Sequence, residues 1–120
     1  MADRVLFISW RSPVRGREER GLEVFNEAMG LYGRLQQEGK IEGFDVSLLT
    51  PSGAIDGYIA LHGTAAQLAA LREDEEFQRT MYDASLIVED LMLVDGFTNE
   101  GIAGQLALYQ EAVAKVPQRA

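Results

Sequence analysis

The sequence predicts an α+β fold in which a four-stranded antiparallel sheet carries helices on one of its faces. Four segments have the alternation or the β-branched composition of strands, and amphipathic segments separate them in the order strand, helix, strand, strand, helix, strand. One more amphipathic segment follows the last strand. The 120 residues, 47% of them hydrophobic, match one ordinary domain with one buried core.

The first strand and the first helix are predicted from the N-terminal third of the chain. Residues 4–10, RVLFISW, are apolar almost throughout, which is typical of a central strand covered on both faces. Pro13 and Gly16 then mark a loop. From residue 17 the spacing predicts a long helix, and Gly39 follows it at the position that C-caps prefer. Its expected apolar stripe consists of Leu22, Phe25, Met29, Tyr32 and Leu35.

The middle of the chain predicts two neighbouring strands. Residues 44–50, FDVSLLT, alternate apolar and polar side chains, and residues 55–63, IDGYIALHG, alternate with Tyr58 and His62 on one face. Pro51 begins a short turn between the two segments, so we expect them to be antiparallel neighbours. The second of these strands is expected to be an inner strand of the sheet.

The C-terminal half predicts a helix, a strand and a final helix. Thr64 forms a capping-box pattern with Gln67 at the start of the second helix, and the acidic run at residues 73–76 marks a kink or a break. That helix is expected to bury Leu68, Leu71, Phe77 and Met81. Residues 91–94, LMLV, predict the fourth strand. The last helix runs to Pro117 with a narrow apolar stripe of Ile102, Leu106, Tyr109 and Val113.

This order of elements predicts a ferredoxin-like βαββαβ plait with an additional C-terminal helix. We expect a single domain over residues 1–120, with the plait at about residues 4–97 and the helix at about residues 99–116. The two helices of a plait cover one sheet face only. The other face is expected to carry Val5, Phe7, Ser9, Asp45, Ser47, Tyr58, Ala60, His62, Met92 and Val94. An exposed face of this mixed character is typical of an interface or a ligand groove.

In element order, in size and in the segment EFQRTMYDASLIVEDLMLVDGF, the chain resembles the dimeric α+β barrel superfamily. That superfamily includes antibiotic-biosynthesis-type monooxygenases, muconolactone isomerases and stress-responsive barrel proteins. The chain is similar to an uncharacterised bacterial family of this fold. The resemblance implies a homodimer in which two open sheet faces enclose a cavity. The additional helix would then pack on the partner subunit or close one mouth of that cavity.

The candidate catalytic residues, His62 and Tyr58, lie on the predicted open face. His62 is the only histidine in the sequence, and imidazole serves as acid, base or ligand near neutral pH. The alternative is a hydrogen-bonded histidine at a strand end. The Tyr58 hydroxyl and the Asp45 carboxylate would orient a ligand on this face, or would have a structural role only. Phe7 and Ser9 are expected to bind ligand at the same place.

Three further candidate ligand-binding residues lie at the end of the first strand and in the loop after it: Trp10, Arg11 and Arg15. Together with Arg17 and Arg20 they lie near a helix N-terminus, where backbone N–H groups and guanidinium groups bind carboxylate or phosphate. The alternative interpretation rests on the glutamates nearby, because alternating charges commonly form a solvated helix face.

Composition excludes several classes of function. No cysteine is present, which rules out disulfides and thiolate metal sites and fits a reducing compartment. A formal net charge of −8 argues against binding to a phosphate backbone. No apolar run approaches the length of a membrane span, and the N-terminus does not match a signal peptide. We expect a cytoplasmic protein with no metal, no cofactor, no nucleic-acid partner and no membrane partner.

Two classes of function remain open. The first is a homodimeric barrel that binds a small, largely apolar organic ligand between its sheets, with cofactor-free oxygenase or isomerase-like chemistry. The second is a non-catalytic module for small-molecule-dependent regulation or for self-association. The sequence contains no recognisable catalytic triad, metal set or nucleotide loop, so it leaves open whether the protein is an enzyme.

Overall fold

A computed structural model describes residues 2–119 of the chain. The elements, in chain order, are β1 (Arg4–Trp10), β2 (Ser12–Pro13), α1 (Glu18–Gln37), β3 (Gly43–Leu48), β4 (Gly57–Gly63), α2 (Ala65–Arg72), α3 (Glu75–Ser85), β5 (Val88–Glu89), β6 (Met92–Phe97) and α4 (Glu100–Ala114). The main sheet has the order β3-β4-β1-β6, and all its neighbouring strands are antiparallel. The inner strands are therefore β1 and β4, as predicted.

One face of the sheet forms the core with α1, α2 and α3. Alternation along the inner strands directs Leu6 and Ile8 of β1, and Ile59 and Leu61 of β4, to this face, and all four are buried. The strand register places Leu6 opposite Leu61 and Ile8 opposite Ile59. Burial of each large aliphatic side chain contributes about 1.5–3 kcal/mol relative to exposure. The helices pack on the sheet because they cover this apolar surface.

Helix α1 buries a different stripe from the predicted one. Its buried residues are Val24, Ala28, Leu31, Tyr32 and Leu35. The prediction was right for Tyr32 and Leu35, but it was wrong for Leu22, which is 67% exposed. Both sets satisfy a three-and-four spacing because α1 is apolar on more than one side. Packing against the sheet, and not periodicity, decides which side is buried.

The acidic run separates α2 from α3 and forms the N-terminus of α3. Thr64 and Gln67 form the predicted capping box at the start of α2, with Gln67 N donating to Thr64 Oγ1 at 3.1 Å. Helix α2 ends at Arg72. Asp74 then caps α3, because its Oδ1 accepts from Phe77 N at 2.9 Å. The run therefore has a structural role. Its carboxylates stabilise α3, because negative charges interact favourably with the positive N-terminal end of the helix dipole.

Two features differ from the sequence expectation near the fourth strand. β6 extends to Phe97, past the predicted end of the strand at residue 94, and Gly96 pairs with Val5 inside the sheet. A short ribbon also forms between β2 and β5, with Ser12 opposite Glu89 and Pro13 opposite Val88. Strands of two residues have no periodicity, so the sequence does not predict this ribbon.

Helix α4 projects from the sheet and has no buried residue. It starts beside the beginning of β1, where Asn99 Nδ2 donates to the carbonyl of Ala2 at 2.8 Å and Thr98 N donates to the carbonyl of Asp3 at 3.1 Å. The predicted stripe is mostly in solvent, and Tyr109 is 67% exposed. The radius of gyration, 16.9 Å, exceeds the ~14 Å expected for a compact chain of this length.

Candidate functional site

The candidate site lies on the sheet face that the helices leave open. Strand register arranges its side chains in three cross-strand rows: Gly43, His62, Val5 and Gly96; Asp45, Ala60, Phe7 and Val94; Ser47, Tyr58, Ser9 and Met92. Opposite residues of antiparallel strands share a face and lie close enough to interact. The structure therefore brings together five of the candidate site residues predicted from the sequence, namely Phe7, Ser9, Asp45, Tyr58 and His62.

A histidine–aspartate pair stands at the β3 side of this face. His62 lies opposite Gly43 of β3, and Asp45 is its diagonal neighbour on that strand. His62 Nε2 and Asp45 Oδ2 are 2.7 Å apart. The histidine side chain is 27% exposed and the aspartate 73%. When Nε2 carries the proton and donates to Asp45, a neutral ring presents Nδ1 as an acceptor, which is the state of a general base.

Two aromatic rings form the centre of the face. Phe7 and Tyr58 stack with ring centroids 5.0 Å apart and an interplanar angle of 29°. Ser47 Oγ donates to the Tyr58 hydroxyl at 3.2 Å, which leaves the hydroxyl proton of Tyr58 available to another acceptor. Ser9 lies in the same row as Tyr58 but is only 2% exposed, because it lies between Tyr58 and Met92. The centre of the face is therefore aromatic, and the exposed side chains of Met92 and Val94 lie beside it on β6.

Trp10 lies on the opposite side of the sheet from His62. It has the same parity along β1 as Leu6 and Ile8, so its ring points toward the helices and packs against the core. The ring meets Phe25 of α1 edge to face, with centroids 6.2 Å apart. The structure therefore does not bring Trp10 to the open face.

The arginines after β1 are directed toward acceptors of the chain itself. Arg11 Nε donates to Asp90 Oδ2 at 2.9 Å, and Arg17 Nη1 donates to the carbonyl of Leu86. Arg20 donates to Glu27 at 3.1 Å, and this hydrogen bond raises the pKa of Arg20. Arg15 is exposed on the loop before α1. These contacts favour the solvated, ion-paired interpretation over the anion site.

A cavity of about 430 Å³ lies on the helix-covered side of the sheet, and the sequence did not predict it. α1, α3, the end of β1, the β3–β4 loop and β5 all contribute to its wall. Most of the lining is apolar and includes Ile8, Trp10, Phe25, Met81 and Ile87. One signal was present in the sequence: α1 has more apolar residues than one buried stripe needs, and the surplus residue Leu22 lies on this wall.

Neither a cluster of metal-binding side chains nor a membrane-spanning helix occurs within residues 2–119. Within residues 2–119, no group of three or more histidine, aspartate or glutamate side chains is arranged to hold a metal ion. In the same part of the chain, no helix combines the length and the apolarity that a membrane crossing requires.

The fold is similar to that of solved structures with low sequence identity. A dimeric protein of unknown function and ferredoxin-like fold from Bacteroides fragilis is 15% identical, with a TM-score of 0.60, over 79% of this chain and 96% of that chain. A NIPSNAP family protein from Agrobacterium tumefaciens is 14% identical, with a TM-score of 0.47, over 83% of this chain and 90% of that chain. No protein-family model and no curated protein matches the sequence. The first of these similarities confirms the predicted ferredoxin-like α+β fold.

Proposed function

We propose that the protein is a homodimer in which the open faces of two sheets meet and enclose a site for a small, largely apolar organic ligand. The observation that carries the proposal is the 2.7 Å contact between His62 Nε2 and Asp45 Oδ2 beside the stacked rings of Phe7 and Tyr58. A hydrogen-bonded acid–base pair moves protons, and an aromatic surface binds apolar molecules. The open face combines both properties.

The apolar surface that the described chain leaves in water supports self-association. On the open face Met92 and Val94 are exposed, and α4 adds Ile102, Leu106 and Tyr109. Removing such surface from water contributes roughly 25 cal/mol per Å², and monomers rarely expose large contiguous patches of this kind. The Bacteroides fragilis protein that shares the fold is dimeric, which supports a second copy of the chain as the partner.

Helix α4 has a place in this dimer. It leaves the sheet at the end where the row containing His62 lies, because Arg4 pairs with both Gly63 and Phe97 at that end. Packed on the partner subunit, α4 would cover its own apolar side chains and close the mouth of the inter-sheet cavity near His62. The compartment that we propose for this assembly is the cytoplasm.

The chemistry that the site supports begins with proton abstraction. His62 Nδ1 takes a proton from an acidic C–H or O–H group of the ligand, and Asp45 holds the ring and stabilises the imidazolium that forms. Tyr58 donates its hydroxyl proton to a ligand oxygen on which negative charge develops. Return of the proton to another ligand atom completes an isomerisation. Transfer of electrons from the deprotonated ligand to O₂ begins a cofactor-free oxygenation.

Ligand binding tests this proposal. We would use 2-naphthol as the probe, because it combines two aromatic rings with an acidic O–H group, and measure the melting temperature with and without it. Ligand that binds only the folded state at a hundred times its Kd adds about 2.7 kcal/mol of stability, so the melting temperature of the wild type should rise. His62→Ala should fold normally by circular dichroism and show a smaller rise. An equal rise in both proteins would remove His62 from the site.

A non-catalytic self-association module is the second candidate function. The exposed apolar side chains of α4 favour it, because they need a partner whether or not chemistry takes place on the sheet. The same melting experiment separates the two candidates. A self-association module should dimerise and show no ligand-dependent rise in melting temperature, whereas a ligand-binding barrel should show both properties.

A further inference from the structure

The cavity on the helix-covered side has the dimensions and the walls of a small-molecule site. Its volume of about 430 Å³ falls in the range of roughly 300–1,000 Å³ that is typical of such sites. It lies at the Trp10 end of β1, whereas His62 pairs with Val5 near the other end and on the other face. The cavity is therefore separate from the open face.

The aromatic wall of the cavity is held in place by a glycine. Trp10 pairs with Gly57 of β4, and a Cβ atom at Gly57 would lie 2.6 Å from Trp10 Cζ2. Only glycine allows the indole to lie this close to the strand. Phe25 then packs its ring edge to face against the indole. The position of this wall is thus set by the fold before any ligand binds.

The two charged residues that line the cavity are both acidic. They are Glu18, at the start of α1, and Asp56, just before β4. The position of Asp56 is fixed by its backbone, because its N–H donates to the carbonyl of Trp10 at 2.9 Å and its carbonyl accepts from Leu49 N at 2.8 Å. Glu18 Oε1 accepts from Gly16 N at 2.9 Å. No lysine or arginine is among the lining residues.

These observations identify the charge of the ligand. An aromatic wall attracts a cation through the negative face of its ring system, and a neighbouring carboxylate adds direct attraction. The same carboxylates disfavour an anion, and the net charge of −8 acts in the same direction. Exposed leucines at the cavity, Leu22, Leu48 and Leu49, would cover an apolar tail. We propose that this cavity binds a small hydrophobic cation of the aryl or alkyl ammonium class.

Trp10 provides the measurement, because it is the only tryptophan in the sequence and lines the cavity. The full-length protein would be titrated with three probes of similar shape, 2-phenylethylammonium, 2-phenylethanol and 3-phenylpropanoate, while tryptophan emission is recorded. The ammonium ion should give a saturable change at the lowest concentration, followed by the alcohol, and the carboxylate should give none. Equal responses to all three probes, or no saturable response to any, would overturn the proposal.

Two variants with the same charge change identify the group responsible. Asp56→Asn should weaken ammonium binding by about tenfold or more, because it removes the carboxylate and keeps the backbone hydrogen bonds. Asp95→Asn, on β6 and outside the cavity lining, is the matched control and should bind as the wild type does. Ala84→Leu reduces the volume of the cavity and should weaken binding of all three probes. Unchanged ammonium binding in Asp56→Asn and Ala84→Leu would show that the probe binds elsewhere.

A second copy of the chain is the other occupant that the experiment can reveal. Trp10 emission in the absence of probe would then change with protein concentration, and the ammonium ion would not compete. That result would assign the cavity to an interface and overturn the ligand proposal. Helix α4 of the same chain is not an occupant of the cavity. It contributes no lining residue, and it starts at the end of the sheet that is remote from Trp10.

Discussion

The two faces of the sheet are built from alternate residues of the same strands, yet the helices cover only one of them. On the covered face Leu61 is 0% exposed, whereas on the open face Val94 is 44% exposed. The covered face therefore supplies the packing that holds the plait together. The open face of the single chain leaves apolar surface in water that a stable monomer would not need. The two faces of the same four strands therefore differ in how much apolar surface they leave in water.

The polar groups on the two faces differ in the same way. Tyr32 is buried on the covered side, its hydroxyl has no hydrogen-bond partner within residues 2–119, and burial raises its pKa. On the open side His62 pairs with Asp45, and Ser47 donates to Tyr58. An unpaired buried hydroxyl lowers the free energy of unfolding, whereas a paired group at a surface is positioned for a ligand. These two side-chain hydrogen bonds therefore lie on the face that the helices leave open.

The largest expected effect comes from the covered face. Leu61→Ala should lower the free energy of unfolding by about 2–5 kcal/mol, because it leaves a cavity in a close-packed core. Urea denaturation at low protein concentration provides the measurement. Val94→Ala on the open face is the comparison, and its cost should stay below about 1 kcal/mol. Similar losses of unfolding free energy in the two variants would show that the two faces contribute equally to the stability of the chain.

The next effect concerns the open face in the proposed dimer. Phe7→Arg should weaken self-association by roughly 2 kcal/mol or more, because a two-fold interface would bury the charge twice without partners. Sedimentation velocity measures the change. Tyr82→Arg, on an exposed position of α3, is the matched control and should not alter association. A Phe7→Arg protein that associates as the wild type does would move the interface to another surface.

A third test uses α4, which contributes no buried residue to its own chain. The double variant Leu106→Glu and Tyr109→Glu should leave the free energy of unfolding of the monomer within about 0.5 kcal/mol of the wild type. Its self-association should weaken, because both side chains would pack on the partner. Unchanged association would remove α4 from the interface and leave the sheet faces alone to form it.

The buried tyrosine predicts a pH effect of moderate size. Since burial raises the pKa of Tyr32 in the folded protein, its contribution to stability is full below the unfolded value of about 10 and is lost as the pH rises above it. Tyr32→Phe should remove this loss and change the neutral stability by less than about 1 kcal/mol. Melting temperatures across the alkaline range provide the measurement. An unchanged alkaline profile would contradict the assignment to Tyr32.

The smallest expected effect comes from an exposed ion pair between α1 and α3. Arg34 Nη2 lies 2.6 Å from Glu76 Oε1, and this hydrogen bond lowers the pKa of Glu76. The stabilisation is therefore present above the unfolded pKa of about 4.3 and is lost as the pH falls through the lower folded value. Glu76→Gln should make the melting temperature less dependent on pH in this acidic range than it is in the control Glu111→Gln. Equal slopes would show that the pair does not contribute.

Local patterns predicted the order of the elements well. The capping box at Thr64, the break at residues 73–76 and the inner position of β1 each depend on a few neighbouring residues, so each could be read from the sequence. The side of α1 that is buried could not be predicted from the sequence. Leu22 and Val24 both fit a helical period, and only contact with the sheet distinguishes them.

The candidate sites show the same limit. Alternation predicted that His62 and Asp45 share a face, but their contact depends on strand register, which the sequence pattern does not specify. The helix-side cavity was missed because its wall combines residues from Ile8 to Leu91, brought together only by the tertiary fold. Two signs were available in the sequence, the parity of Trp10 along β1 and the surplus apolar residue Leu22 on α1.

Sedimentation velocity of the wild-type chain at micromolar concentration tests the central claim most directly. We expect one species at twice the chain mass of 13.3 kDa, converted by Phe7→Arg to a folded monomer of normal circular dichroism. A wild-type chain that sediments as a monomer across this range would contradict the proposal that the open face is an interface.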